Sequence, residues 1–163
     1  MVSHESFEIR RESPFSDLAA DLLNRYFDEL DRRFPDGFDP GDAVHGELHD
    51  YQSPNGVFLV AYSIDVPAGC AALRRFDDSA AEIKRMWIDP SARGRGIGRG
   101  LLSALESLAR DLGYRRLCLD TSAHLHEAIA LYRSSGFEQI ADYNNNPEAA
   151  LWFGKDIEST SAR

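Results

Sequence analysis

Residues 93–100 read Arg93-Gly94-Arg95-Gly96-Ile97-Gly98-Arg99-Gly100. Just upstream an apolar, strand-like run ends at Asp89-Pro90. Downstream, Leu101, Leu102, Leu105, Leu108, Ala109 and Leu112 recur at helical spacing as far as Gly113. A helix entered in this way presents first-turn N–H groups with no partner, and alternate glycines let a ligand approach the main chain closely. No acidic residue lies between Asp89 and Glu106, although the formal net charge of the chain is −9. Positive potential therefore collects where the amides point, and the planar fork of Arg93, Arg95 or Arg99 suits phosphate. The stretch is read as a site for a phosphate or pyrophosphate.

Spacing removes two phosphate motifs. The dinucleotide fingerprint needs glycines at relative positions 1, 3 and 6, but the sixth position is Arg99 counted from Gly94 and Leu101 counted from Gly96. A P-loop needs Gly-Lys followed by Ser or Thr, and Gly154-Lys155 is followed by Asp156. The strand before, the helix after and the acidic whole argue against a disordered RNA-binding tract of arginine and glycine.

Outward from the loop, periodicity and punctuation order the chain. A short strand over 6–11 stops before Pro14. Leu18, Leu22, Leu23, Tyr26, Phe27 and Leu30 mark a helix with Asp17 near its start. Residues 34–55, rich in proline, glycine, acids and histidines, read as a long loop or broken helix. Strands over 57–64, 69–76 and 81–89 are joined by turns at Asp65-Val66-Pro67 and Asp77-Asp78-Ser79 as an antiparallel meander. A strand over 115–121, a helix over 127–135 ended by Gly136, and strands over 137–141 and 149–156 complete the order, with a loop over 142–148. The strand holding Trp87 and the strand holding Leu119 are linked by a helix, which makes them parallel neighbours. The class is α+β with a mixed sheet. Within 81–89, Ile83 falls on the opposite parity from Met86 and Ile88, so a bulge is expected near residues 84–86.

Length and composition describe one ordinary domain, 1–157, with a C-terminal tail, 158–163. The chain has 163 residues, 43% hydrophobic and 28% charged, which excludes a disordered or collagen-like protein. No apolar run is long enough to span a bilayer, and the charged start lacks a secretion signal, so a cytoplasmic protein is expected. Cys70 and Cys118 sit in apolar runs and read as core thiols. The acidic balance opposes nucleic-acid and anionic-membrane partners and favours cationic ones. His45, Glu47 and His49 lack the spacing of a zinc protease motif, and no metal is expected.

Arg93-x-x-Gly96-x-Gly98 resembles the signature of the Gcn5-related N-acetyltransferase (GNAT) family. Glu82-Ile83-Lys84-Arg85-Met86-Trp87-Ile88-Asp89-Pro90 is similar to the family's fourth strand, and 128–137, ending Tyr132-Arg133-Ser134-Ser135-Gly136-Phe137, to its last helix and turn. The resemblance implies a mixed sheet of about six to seven strands flanked by about four helices, with splayed parallel fourth and fifth strands. It implies acetyl-CoA as co-substrate, held by Met86, Trp87 and Ile88 of the strand and by Arg93, Gly94, Arg95, Gly96, Ile97, Gly98, Arg99 and Gly100 of the loop. Tyr132 would be the general acid for the departing sulfur, and Glu82 the general base. On the residues alone, Tyr132 reads as a core tyrosine and Glu82 as a strand-end carboxylate paired with Lys84 or Arg85. Leu125 stands where the family often has an asparagine. The expected reaction is direct transfer of an acetyl group to a small cationic amine in a ternary complex. Asp36, Asp39, Asp42, Glu47 and Asp50 are the acids expected on the acceptor side. A non-catalytic acyl-CoA-binding module and a peptide N-acetyltransferase are the alternatives, and a homodimer is a further possibility.

Overall fold

The computed structural model describes residues 7–41 and 43–158. Ser6, Asp42 and the expected tail beyond Glu158 lie outside them. A seven-stranded sheet has the order β1-β2-β3-β4-β5-β7-β6. Here β1 is Phe7–Arg11, β2 Val57–Ser63, β3 Val66–Arg75 and β4 Ala80–Ile88, successive neighbours all antiparallel. Strand β5, Arg116–Thr121, runs parallel to β4, as a helical crossover requires. Strand β7, Leu151–Asp156, pairs antiparallel with β5 and carries the three-residue β6, Glu138–Ile140, at the edge.

Helix α1, Asp17–Arg33, is capped by Ser16, whose hydroxyl accepts from the Ala19 N–H at 3.0 Å. Its apolar stripe, Leu22, Leu23, Phe27 and Leu30, packs with Phe58, Val60, Ala72 and Trp87 on one face of the sheet. Helix α3, Ile97–Asp111, buries Ile97, Leu101, Leu102, Leu105 and Ala109 against Leu59, Leu73, Ile83, Leu117 and Leu119 on the other face. Helix α4, His126–Ser134, joins α3 there through Ala128, Ile129 and Leu131. The broken-helix reading of 34–55 holds, with a short α2, Ala43–Glu47, running into a 3₁₀ turn over Leu48–Tyr51 that sinks Tyr51 into the core.

The turn between β2 and β3 differs from expectation. It consists of Ile64 and Asp65 alone, both at positive φ (49° and 63°), and Val66 and Pro67 already belong to β3. A two-residue connection with this twist matches the right-handed twist of the strands better than a longer proline turn. Both cysteines are free and buried, and burial pushes each thiol up to about 12.

Two irregularities open the sheet. On β3, Cys70 pairs with Trp87 and Ala72 with Lys84, so Arg85 and Met86 together face Ala71. This is the expected bulge, and Arg85 takes φ 57° within it. The β4–β5 ladder ends after Ala80↔Arg116, Ala81↔Leu117 and Glu82↔Cys118. Beyond those pairs the strands diverge, and a cleft lies between them.

Candidate active site

The cleft has two continuous halves that share Tyr26, Leu30, Met86, Leu125 and Ala128. One half runs along Met86, Trp87 and Ile88 to Arg93, Gly94, Gly96, Ile97, Gly98 and Arg99, with Leu131 of α4 opposite. The other lies beside α1 and is walled by Phe34 and Phe38, Lys84 and Arg85 of β4, Asp120 of β5, Tyr132 of α4, and Asn146 and Glu148.

In the glycine half, Gly96 caps α3 at φ 85° and Gly94 stands at φ 81°, a backbone region that costs other residues about 1 kcal/mol or more. A Cβ at either position would meet nothing within 4 Å, so both glycines border open space. The N–H groups of Ile97, Gly98 and Arg99 lie in the first helical turn without an intrahelical acceptor. Arg99 reaches Ser134 Oγ at 3.1 Å, and Arg95 lies near Ser63. Gly100 faces elsewhere: its Cβ would strike the Phe7 ring at 2.5 Å, so this glycine lets α3 press against β1.

Arg93 was expected to grip an anion, but its fork is already engaged. It donates to both oxygens of Glu29 at 2.7 Å and to the Ile88 carbonyl at 3.0 Å. Trp87 Nε1 donates to the same Glu29 at 3.1 Å. Burial pushes the Glu29 carboxyl up, but the hydrogen bonds from Arg93, Trp87 and Arg33 outweigh it and hold the group low. Arg93 thus ties the loop to α1 and to the end of β4, where Ile88 still lines the cleft.

Glu82 was expected beside the reacting centre. It is 1% exposed and lines neither half of the cleft. One oxygen accepts from Arg74 Nε at 2.9 Å, the other from the Tyr143 hydroxyl at 2.6 Å and Asn144 Nδ2 at 3.4 Å. Its ion-pair partner is Arg74 on β3, not Lys84 or Arg85, because Arg74 stands directly across the antiparallel ladder from it. Tyr132 does reach the cleft. It packs against Phe137 and Phe153, and burial raises its phenol well above the usual tyrosine value, which keeps the hydroxyl protonated.

The residue that sequence reasoning missed is Asp120. Its Oδ2 accepts from Asn144 Nδ2 at 2.5 Å and Asn146 Nδ2 at 3.2 Å, while Oδ1 has no protein donor among the described residues. Asn144 in turn accepts from Trp152 Nε1 at 2.9 Å, which fixes its amide. The signal was present: on β5, Leu117 and Leu119 face the core while Asp120 takes the opposite parity near the carboxyl end of a parallel strand, where ligands collect.

Of the acids expected on the acceptor side, Asp36, Asp39, Glu47 and Asp50 do not line that half, although Glu47 bonds one of its wall residues. Glu47 bonds Arg85 at 2.5 Å, Asp50 lies beside Arg74, Asp39 caps its own turn, and Asp36 sits by Pro35 outside both halves. Asp42 is outside the described residues.

This combination of splayed parallel strands, glycine-bordered helix start and buried tyrosine defines an acyltransferase fold. Residues 21–137 match the model of the acetyltransferase (GNAT) family, and the chain belongs to that family. It is 38% identical over 131 residues to the IAA acetyltransferase of Azospirillum brasilense, covering 79% of this chain and 82% of that protein. An acetyltransferase from Streptococcus agalactiae superimposes with a TM-score of 0.75 at 26% identity, covering 93% of this chain and 98% of that one. A GNAT family acetyltransferase from Elizabethkingia anophelis, solved with acetyl-CoA bound, superimposes with a TM-score of 0.70 at 18% identity, covering 93% and 98%. The chain is an acyltransferase. No helix among the described residues is long and apolar enough to cross a membrane.

Proposed function

We propose that this enzyme transfers an acetyl group from acetyl-CoA directly to a small amine held in the adjoining half of the cleft. The carrying observation is the continuity of the two halves at the point where β4 and β5 part, with Tyr132 and Asp120 both facing the second half. The glycine half fits the co-substrate: first-turn N–H groups, Arg99 and the open space bordering Gly94 and Gly96 suit a pyrophosphate, and Met86, Ile88 and Leu131 suit a thin apolar arm. When bound, acetyl-CoA supplies an acetyl group already activated as a thioester.

The residues of the chain then handle the protons. An amine of reference pKa about 10.4 enters as a cation, and Asp120, whose Oδ1 has no protein donor among the described residues, holds the ammonium group and accepts its proton. Asn144 and Asn146 fix the carboxylate in that orientation. Tyr132 lines the same half, and its phenol gives a proton to the departing sulfur and regains one from the nitrogen that has taken the acetyl group. Glu82 acts one step back, as the anchor that holds Tyr143 and Asn144 in place.

Thiol release from acetyl-CoA, followed across a panel of amines, amino acids, polyamines and peptides, tests the reading. Acetylated amine formed in step with free thiol supports it. Tight acetyl-CoA binding without turnover on any acceptor would replace it with a non-catalytic binding module.

A further inference from the structure

The last rung of the β4–β5 ladder is Glu82↔Cys118. Continued in register, the strands would set Lys84 beside Asp120 two residues on, at the usual strand spacing of about 4.8 Å. The divergence holds the two apart, so a lysine and an aspartate on the same face of the sheet look across the acceptor half from opposite walls. No ion pair joins them: the charge of Lys84 helps to hold the Glu47 carboxyl low, but no carboxylate among the described residues lies within ion-pair distance of Lys84. Glu47 is already bonded to Arg85 and to the Tyr51 hydroxyl. Arg85 shares the wall with Lys84, but Glu47 takes its charge. Glu148 is exposed at the rim. Tyr26, Leu30 and Phe34 add apolar surface to the same half. Opposite charges that are half-buried, unmatched by each other and flanked by apolar side chains suit a ligand carrying both complementary charges close together, with an apolar group beside them.

We infer that the acceptor is an amino acid: a primary amine with a carboxylate a few atoms away and an apolar side group. Its ammonium faces Asp120 and its carboxylate meets Lys84. This rests on the acetyl-transfer reading above and adds the carboxylate to it.

Matched pairs test the inference: leucine, methionine and phenylalanine against the amines left when the carboxyl group of each is removed. Two measurements are made, kcat/KM for acetylation and calorimetric affinity for the N-acetylated products, in which the amine no longer titrates. For at least one pair, the carboxylate form is expected to be favoured about tenfold or more in both, as befits a charge-assisted contact. Lys84→Met should abolish the difference, and Lys84→Arg should restore most of it. Equal values within threefold for every pair, or a preference that survives in Lys84→Met, would overturn the carboxylate assignment while leaving acetyl transfer to amines intact. If no acceptor in the set is acetylated, the amino-acid assignment fails, and the wider amine panel decides the transfer reading by itself. The product affinities still decide the role of Lys84, because they need no turnover.

Discussion

Asp120 and Glu82 both accept from the side-chain amide of Asn144, yet their surroundings differ. One oxygen of Asp120 has no protein donor among the described residues, whereas both oxygens of Glu82 are spent inside the protein. Asp120→Asn should therefore lower kcat on the order of 10²-fold or more with acetyl-CoA affinity unchanged. Glu82→Gln weakens the shortest ion pair of Arg74, at 2.9 Å, while Glu47 and Asp50 remain at 3.7 and 3.9 Å, a loss of about 1.5–3 kcal/mol, as for a charge-assisted hydrogen bond. Thermal melts and steady-state rates on the two variants separate the roles, since a large rate loss in Glu82→Gln at unchanged melting temperature would return the base to that residue. Tyr132→Phe keeps the ring packing against Phe137 and Phe153 and removes only the hydroxyl. Turnover should fall while cofactor affinity stays level, and the fall should be modest because a thiolate of reference pKa about 8.5 leaves readily. At this scale the sequence was only partly legible. Spacing to the glycine loop pointed to Glu82, but spacing carries no information about which carboxylate finds a cation inside the fold, and Arg74 lies eight positions earlier on another strand.

At the scale of elements the reading went further, because strand alternation, helical periodicity and glycine stops are local signals. The meander, the crossover helix, the parallel pair and the bulge at Arg85–Met86 all follow from them. The β2–β3 turn did not, since two non-glycine residues at positive φ leave no compositional mark. The glycine loop shows the same division. Its shape is written in Gly94 and Gly96, while the tether from Arg93 to Glu29 depends on how α1 docks. Arg93→Ala should release that tether and weaken acetyl-CoA binding about tenfold, the size expected for losing a charge-assisted contact that orders the site. Calorimetry reads this directly, and full affinity in the variant would show that the loop holds its form through α3 alone.

Across the whole molecule, Glu29, Arg33, Arg93 and Glu127 form a charged knot between α1, the glycine loop and α4. Hydrogen bonding to Arg33 brings the Glu127 carboxyl down to about 2, and Glu29 is also held below its ordinary value of 4.5. Because both folded-state values are depressed, protons bind the unfolded chain first. The stabilisation is complete above about pH 4.5 and is lost as the pH falls toward 2. Melting temperatures measured from pH 7 to pH 3 should drop across this window, and Glu127→Gln should flatten part of the drop.

The early end of the β4–β5 ladder has a mechanical consequence. Three rungs join a leaf made of β1 to β4 to a leaf made of β5, β7 and β6, like a book bound only at the foot of its spine. The charged knot acts as a clasp nearer the open edge. A molecule seated in the gap serves as the missing binding, and hydrogen exchange should slow most on the unpaired stretches of β4 and β5 when acetyl-CoA is added, with the outer strands little changed. The fold thereby leaves its own sheet unfinished, and a substrate seated there would supply the stiffness that the chain withholds.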